Sequence, residues 1–389
     1  MNNQTQKNIP DGWHEVKLAD LGVFSKGAGI LKDEVLDSGN NAVRYGEIYT
    51  RYDFKIKKIH SFISDEVAAG SKKIKYGDIV FAGSGETADE IGKSAAYLLH
   101  EDCYAGGDTI IFTPENADSL FLSFFLNVGE ARKRLRELGQ GQSVVHVYKG
   151  DLENVKLHIP MIAEQRRIVS VVEAWDRTIE RLSRKIDIKK NVKKELMRQL
   201  LSGDLRLSGF TEEWLTIKLG EVCKIKRGDM ITKNVISSGK IPVIAGGKQP
   251  AYYHNRFNYD GKTITVSGSG ASAGFINYFQ CPIFASDCSI VKGMENKADT
   301  DFIYYQLLNR QEYIYSLQSG GAQPHIYPKD LALLKIHIPH LNEQIKLANI
   351  FSIVDKEIAK LEKMLLIIRN QKKYLLNNLI TGKIRTQNI

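Results

Sequence analysis

Three short runs in the chain imitate catalytic or ligand-binding motifs. FAGSG at Phe81 to Gly85 matches the FxGxG that turns a methyltransferase strand toward S-adenosylmethionine. Transfer to an amino group also needs an Asn/Asp-Pro-Pro-aromatic loop to grip the exocyclic nitrogen, and the chain has no Pro-Pro pair. VSGSG, ending at Gly270, stands at the matching place in the second half, so the pattern reads as a structural glycine turn. IGKS at Ile91 to Ser94 looks like the end of a phosphate loop. GxxxxGK[ST] would place glycine where Thr87 stands, so the amide cradle is broken. Glu86, Asp89 and Glu90 lack the Pro-Asp and acidic-x-Lys company of a nuclease metal site and read as a solvated loop.

His146 and His325 recur at matched positions, but spacing identifies no Ser, Cys or carboxylate partner for either. A structural role or a DNA contact is expected of both. Cys103, Cys223, Cys281 and Cys288 form no CxxC and have no histidine at zinc-ligand spacing, so they read as reduced, small and apolar. No catalytic, metal-binding or cofactor-binding residue is assigned.

The polar residues that remain suit nucleic-acid contact. Base edges are read by Arg, Lys, Asn, Gln and Ser, whereas phosphates are held by Lys, Arg and backbone amides. In the first half Lys26, Arg44, Tyr45, Arg51, Lys72, Lys73 and Lys75 supply such groups in loop-like sequence. In the second half they are Lys226, Arg227, Lys233, Lys248, Gln249, Tyr252, Tyr253, His254, Asn255 and Arg256. The clustering of basic, amide and aromatic types is better support than any single member.

An internal repeat positions these groups. Adding 179 to each number from His146 to Arg206 lays HVYKGDLENVKLHIP over HIYPKDLALLKIHIP and Glu164-Gln165 over Glu343-Gln344. LLSG at Leu200 to Gly203 then falls on LITG at Leu379 to Gly382, and 21 of 61 positions are identical without a gap. Upstream, GWHEVKLADLGVFSKG from Gly12 echoes EWLTIKLGEVCKIKRG from Glu213, so Trp13 matches Trp214 at an offset of 201. The second middle is therefore 22 residues shorter.

Within the repeat, apolar residues fall at heptad spacing: Ile168, Val172, Trp175, Ile179, Leu182 and Ile186, then Leu347, Phe351, Val354, Ile358, Leu361 and Leu365. Lys193 and Lys372 occupy one matched seam position, where a polar residue lowers stability but restricts register. The spacing predicts two helices of about 38 residues, starting after Pro160 and Pro339 and capped at Gly203 and Gly382, each about 55 to 60 Å long. Helices of that length must pair. Two equal repeats related by a pseudo-two-fold axis would set them antiparallel, as a spacer between the globular parts. The middles read as mixed α/β, with strands at 78–81, 109–112, 263–266 and 289–291, helices over 120–138 and 302–317, and glycine-rich loops from Gly139 and Gln318.

Charge follows the same plan. Of the formal +9 carried by 389 residues, the segments 164–206 and 343–385 hold +5 each and the remainder nets −1. DNA contact by the globular parts must then come from local patches. The polar start, MNNQTQKNIPDGW, has no apolar signal region, and no run reaches the roughly 18 apolar residues of a membrane span, so a cytoplasmic protein without membrane contact is expected.

This layout resembles the specificity subunits of type I restriction-modification systems across nearly the whole chain: two Trp-led starts (Gly12 to Gly27, Glu213 to Gly228), two divergent middles and two HIP-x-x-x-EQ helices. The resemblance implies target-recognition domains at 1–160 and 207–340, and conserved spacer helices within 161–206 and 341–389. It further implies a non-catalytic subunit that reads a bipartite site in double-stranded DNA. Two methyltransferase subunits and restriction/translocase subunits would be its partners. S-adenosylmethionine, ATP and Mg would then sit on those partners, with no cofactor on this chain. The alternatives are the target-reading subunit of a type IIB-like system, an orphan specificity protein exchanged between systems, or a coiled-coil scaffold whose globular parts bind proteins. The near-neutral charge of the globular parts motivates the last.

Overall fold

The computed structural model describes residues 9–141, 144–231 and 238–386. Two compact units emerge: Met1–Arg181 with Leu365–Ile389, and Leu182–Met364. Each unit therefore contains one globular part and segments of both long helices.

In the first unit a five-stranded sheet runs in the order Gly22–Lys26, Thr109–Pro114, Ile79–Ala82, Ser94–Tyr97, Lys55–Ile56. A four-stranded sheet orders Ser61–Ile63, Asn40–Val43, Cys103–Ala105 and Lys72–Ile74. The strand Ile79–Ala82 is buried at every position, as expected where both faces of a central strand are covered. Against the neighbouring strand Ser94–Tyr97 lies Ser119–Leu126, an almost wholly apolar helix with Phe121, Leu122, Phe124 and Leu126 fully buried.

The second unit repeats this plan with fewer strands. Its four-stranded sheet orders Cys223–Arg227, Cys288–Gly293, Thr263–Ser267 and Ile276–Phe279, and its three-stranded sheet orders Tyr252–His254, Ile241–Ile244 and Phe284–Ala285. Each unit closes with a two-stranded ribbon that the sequence did not disclose: Trp13–Lys17 lies antiparallel to Lys156–Pro160, and Leu215–Lys218 to Lys335–Ile338. Each Trp-led start thus pairs with its own HIP strand, which accounts for the likeness of both ends.

The long helices run Ile162–Ser202 and Leu341–Ile380. Within the first unit, Glu164 meets Arg385 and Asp176 meets Lys372. Within the second, Lys189 meets Glu357, Lys193 meets Asp355 and Arg206 meets Glu343. In each unit the partner number falls as the first rises, so the two helical segments are antiparallel. Ile168, Val172, Ile186, Leu347, Phe351 and Ile358 are buried, while Trp175, Ile179, Leu182, Val354, Leu361 and Leu365 are half-buried. The helices stop where Gly203 and Gly382 take φ of +84° and +69°, a left-handed conformation that glycine adopts without strain. The indole of Trp214 lies over Gly203 and that of Trp13 over Gly382, where a Cβ would meet the Trp13 ring at 3.2 Å and Pro10 closer still.

Three expectations from the sequence differ from the structure. The single helix over 120–138 is two, Ser119–Leu126 and Gly129–Glu137, broken where Gly129 takes φ +62°. The helix over 302–317 is likewise split into Thr300–Asn309 and Gln311–Ser316, with Arg310 leaving helical geometry at φ −111°, ψ 21°. Of the cysteines, Cys103, Cys223 and Cys288 are buried and Cys281 is exposed, so the apolar reading fails for Cys281. No helix of the described residues is long and apolar enough to cross a membrane.

Candidate nucleic-acid interface

The HIP-x-x-x-EQ motif is explained residue by residue. The Gln165 amide oxygen accepts the Asp118 backbone N–H at 2.9 Å while its nitrogen donates to the Pro160 carbonyl at 2.9 Å. Asp118 in turn caps the next helix by accepting the Phe121 N–H at 2.9 Å. Gln344 does the same for Asp299, at 2.9 Å, and for Pro339, at 2.8 Å. Glu164 and Glu343, both almost fully buried, each take a two-pronged Arg: Arg385 through two 2.8 Å bonds, and Arg206 at 3.0 and 2.8 Å. These hydrogen bonds hold both guanidinium pKa values above their ordinary range. The motif is therefore a buried joint between helix and globular part.

The candidate reading groups lie partly on edge strands and partly on the short helix and loops beside them. Lys26 and Arg227 occupy matched ends of the edge strands Gly22–Lys26 and Cys223–Arg227, both exposed. The glycine that follows is obligatory, since a Cβ on Gly27 would lie 2.1 Å from the Gly106 carbonyl and one on Gly228 2.2 Å from that of Ser286. Arg44 precedes the short helix Tyr45–Thr50 and Arg51 ends it; Arg44 and Tyr45 are half-buried and Arg51 exposed. Lys72 and Lys73 lie on the strand Lys72–Ile74 with Lys75 just beyond, all exposed. Lys73 is paired with Asp102 at 2.5 Å, which raises its pKa.

In the second unit Arg227 approaches Asp287 at 3.4 Å, and Ser269 also bonds Asp287. The exposed Lys248–Gln249 loop is held beside them by Ser267, whose hydroxyl reaches the Gly247 carbonyl at 3.4 Å, while Lys248 Nζ lies 5.4 Å from the Phe275 ring. Lys226 is exposed on the same edge strand as Arg227. Tyr253, Asn255 and Arg256 are exposed, whereas Tyr252 is half-buried and His254 is buried edge-on against Phe284. His254 is thus set into the fold rather than onto the surface. Lys233 lies outside the described residues, as do Gln142 and Ser143 of the loop from Gly139.

The motifs set aside in the sequence behave as turns. The Gly92 N–H donates to the Ala82 carbonyl and Arg132 clamps the Ile91 and Asp89 carbonyls, so no phosphate cradle remains at IGKS. Burial brings the Arg132 guanidinium down to about 10. The Glu90 carboxylate accepts the backbone N–H groups of Glu86 and Thr87, and Asp89 pairs with Arg136 at 2.7 Å. Among the described residues no group of three or more His, Cys, Asp or Glu could hold a metal ion. One pairing that spacing could not reveal is Ser84 Oγ with His146 Nδ1 at 2.8 Å. The likeness of HVY to HIY and the identity of the two GSG runs were the available signal.

Comparison with known proteins places this architecture. The chain matches the family described as type I restriction modification DNA specificity domain over residues 10–190 and again over 211–368, and it belongs to that family. The family's role is recognition of the DNA target, and its specificity subunits are non-catalytic. The MjaVIII specificity subunit of Methanocaldococcus jannaschii is 24% identical, with 98% of this chain and 95% of that protein covered. The StySPI specificity subunit of Salmonella potsdam is 22% identical over 87% of this chain and 81% of that protein. The crystal structure of a type I system S subunit from M. genitalium superposes with a TM-score of 0.65 at 19% identity, covering 96% of this chain and 97% of that one.

Proposed function

We propose that this chain reads a bipartite DNA site, one short segment per unit, and directs adenine methylation and cleavage by partner subunits. The carrying observation is the contrast between the two units: the framework repeats, down to the Trp-led ribbon and the Glu-Gln joint, while the exposed edge residues do not. Lys26, Arg44, Tyr45, Arg51, Lys72, Lys73 and Lys75 would serve one half-site. Lys226, Arg227, Lys248, Gln249, Tyr252, Tyr253, Asn255 and Arg256 would serve the other. His254 would support its strand from within.

Target-recognition domains at 1–160 and 207–340 and spacer helices within 161–206 and 341–389 accord with the ribbons that close each globular part. The spacer seam would keep the unread gap constant. Two methyltransferase subunits and restriction/translocase subunits would be the partners, carrying S-adenosylmethionine, ATP and Mg, in the cytoplasm. Mapping methylated adenines in the host genome, with and without this chain, tests the reading. A split motif with a fixed gap is expected, whereas a continuous motif, or sequence-indifferent binding by the assembled complex, would overturn it. Swapping 227–256 for the equivalent of another subunit should change one half-site alone.

A further inference from the structure

The two units are expected to read different bases, yet one exposed feature is the same in both. In the run His146-Val147-Tyr148, Val147 is 3% exposed and turned into the core, so His146 and Tyr148 alternate outward. In His325-Ile326-Tyr327, Ile326 is likewise 3% exposed. The His and Tyr rings stack at 6.3 Å and 20° in the first unit and at 6.0 Å and 13° in the second. Tyr148 and Tyr327 share backbone angles near φ −108°, ψ 153°, and keep 55% and 39% of their surface exposed.

In both units the histidine pairs backbone to backbone with the serine of a GSG turn, Ser84 or Ser269. The two turns lie beside the candidate reading residues: Ser84–Gly85 packs on the helix Tyr45–Thr50, and Ser269 shares Asp287 with Arg227.

We infer that the matched corners Ser84–His146–Tyr148 and Ser269–His325–Tyr327 each hold a backbone phosphate of the target duplex. The inference rests on the DNA-reading function proposed above. A feature common to two readers of unlike sequences must meet what unlike sequences share, and in DNA that is the phosphate backbone, which positions without specifying. The corner is chemically suited to an anion. In the first unit a Ser84 hydroxyl donating to His146 Nδ1 leaves the imidazole proton on Nε2, free to donate; in the second the Ser269 hydroxyl bonds Asp287 instead, and the cation of that corner is Lys329, whose Nζ lies 5.6 Å from the Tyr327 ring. The nearby Glu90 carboxylate is turned onto the N–H groups of Glu86 and Thr87.

The test uses the chain assembled with its methyltransferase and cognate duplexes in which single phosphates are replaced by neutral methylphosphonates. Wild-type complex should lose about three- to tenfold in affinity at one phosphate in each half-site. His146→Ala with Tyr148→Phe should abolish that sensitivity in one half-site only, and His325→Ala with Tyr327→Phe in the other, with the methylated motif unchanged. Thermal melts and methyltransferase retention are measured on each variant, and Tyr148→Phe and Tyr327→Phe alone serve if an alanine variant is unstable. The inference is overturned if phosphate sensitivity is the same in wild type and variants, if the methylated bases change, or if methyltransferase retention falls while the DNA pattern holds. Absence of specific binding by the wild-type complex would instead overturn the DNA-reading function itself.

Discussion

Removing Arg385 tests the buried Glu-Arg joint of the first unit. In Arg385→Ala the Glu164 carboxylate, 5% exposed, loses both 2.8 Å charge-assisted bonds, and the Asp11 carbonyl loses its donor. Taking one partner from a fully buried pair costs about 3 to 5 kcal/mol. The Arg385 side chain keeps 21% of its surface in water, which lets solvent reach part of the vacated site, so about 2 to 3 kcal/mol is expected here. For a unit of about 200 residues that corresponds to a fall of roughly 5 to 10 °C in its melting temperature. Calorimetry of the full chain should therefore show one of two transitions displaced, and hydrogen exchange should rise in peptides around 162–170. Adding Glu164→Gln removes the stranded charge, so the double variant should regain more than about 1 kcal/mol relative to simple additivity. A single variant that costs less than about 1 kcal/mol, or a double variant equal to the sum of the singles, would refute the claim that this pair fastens helix to globular part.

Gln165→Leu should destabilise the first unit by about 2 kcal/mol, because it strands the Asp118 N–H and the Pro160 carbonyl, and chemical denaturation of the variant would read this directly. A native-state thiol titration should modify Cys281 alone, since burial pushes the Cys103, Cys223 and Cys288 thiols up to about 12; more than one thiol modified without unfolding would contradict the packing. Burial raises the Asp176 carboxyl, but hydrogen bonds from Lys372 and Lys55 outweigh it and hold the group below its ordinary value near 4. A depressed folded pKa gives stability that is complete above the unfolded value and is lost as pH falls below about 4. Melting temperatures between pH 5 and 3 should fall more steeply for wild type than for Asp176→Asn, and equal slopes would exclude the linkage.

The long helices and their ends were legible in the sequence because heptad spacing, flanking proline and terminal glycine all pointed the same way. The observed starts at Ile162 and Leu341 lie two residues past each proline. Strands such as Thr109–Pro114 and Cys288–Gly293 were visible as apolar runs. The break at Gly129 was not, because Ser119–Leu126 is apolar on all sides and offers no periodicity to end. The ribbons joining Trp13–Lys17 to Lys156–Pro160 were hidden for a different reason: their strands are separated by more than a hundred residues, and short strands carry little pattern of their own. Composition also could not tell that His254 faces inward while Asn255 and Arg256 face out, since an aromatic-rich strand edge reads alike on both faces.

The distribution of identity between the repeats has a mechanical cause. Glu164 belongs to the first copy and its Arg385 to the second, whereas Glu343 belongs to the second and its Arg206 to the first. Asp176 with Lys372 and Asp355 with Lys193 cross over in the same way, as do Trp13 over Gly382 and Trp214 over Gly203. A substitution at any of these positions in one copy leaves an unmatched group against the other, so both copies are held to the same residues. The exposed positions Lys26 and Arg227 on edge strands, Arg51 at a helix end and Lys248 in a loop have no such counterpart in the other copy. Reciprocal pairing thus accounts for a frame that stays duplicated while the exposed residues of the two units diverge, which is what the split target proposed above would require.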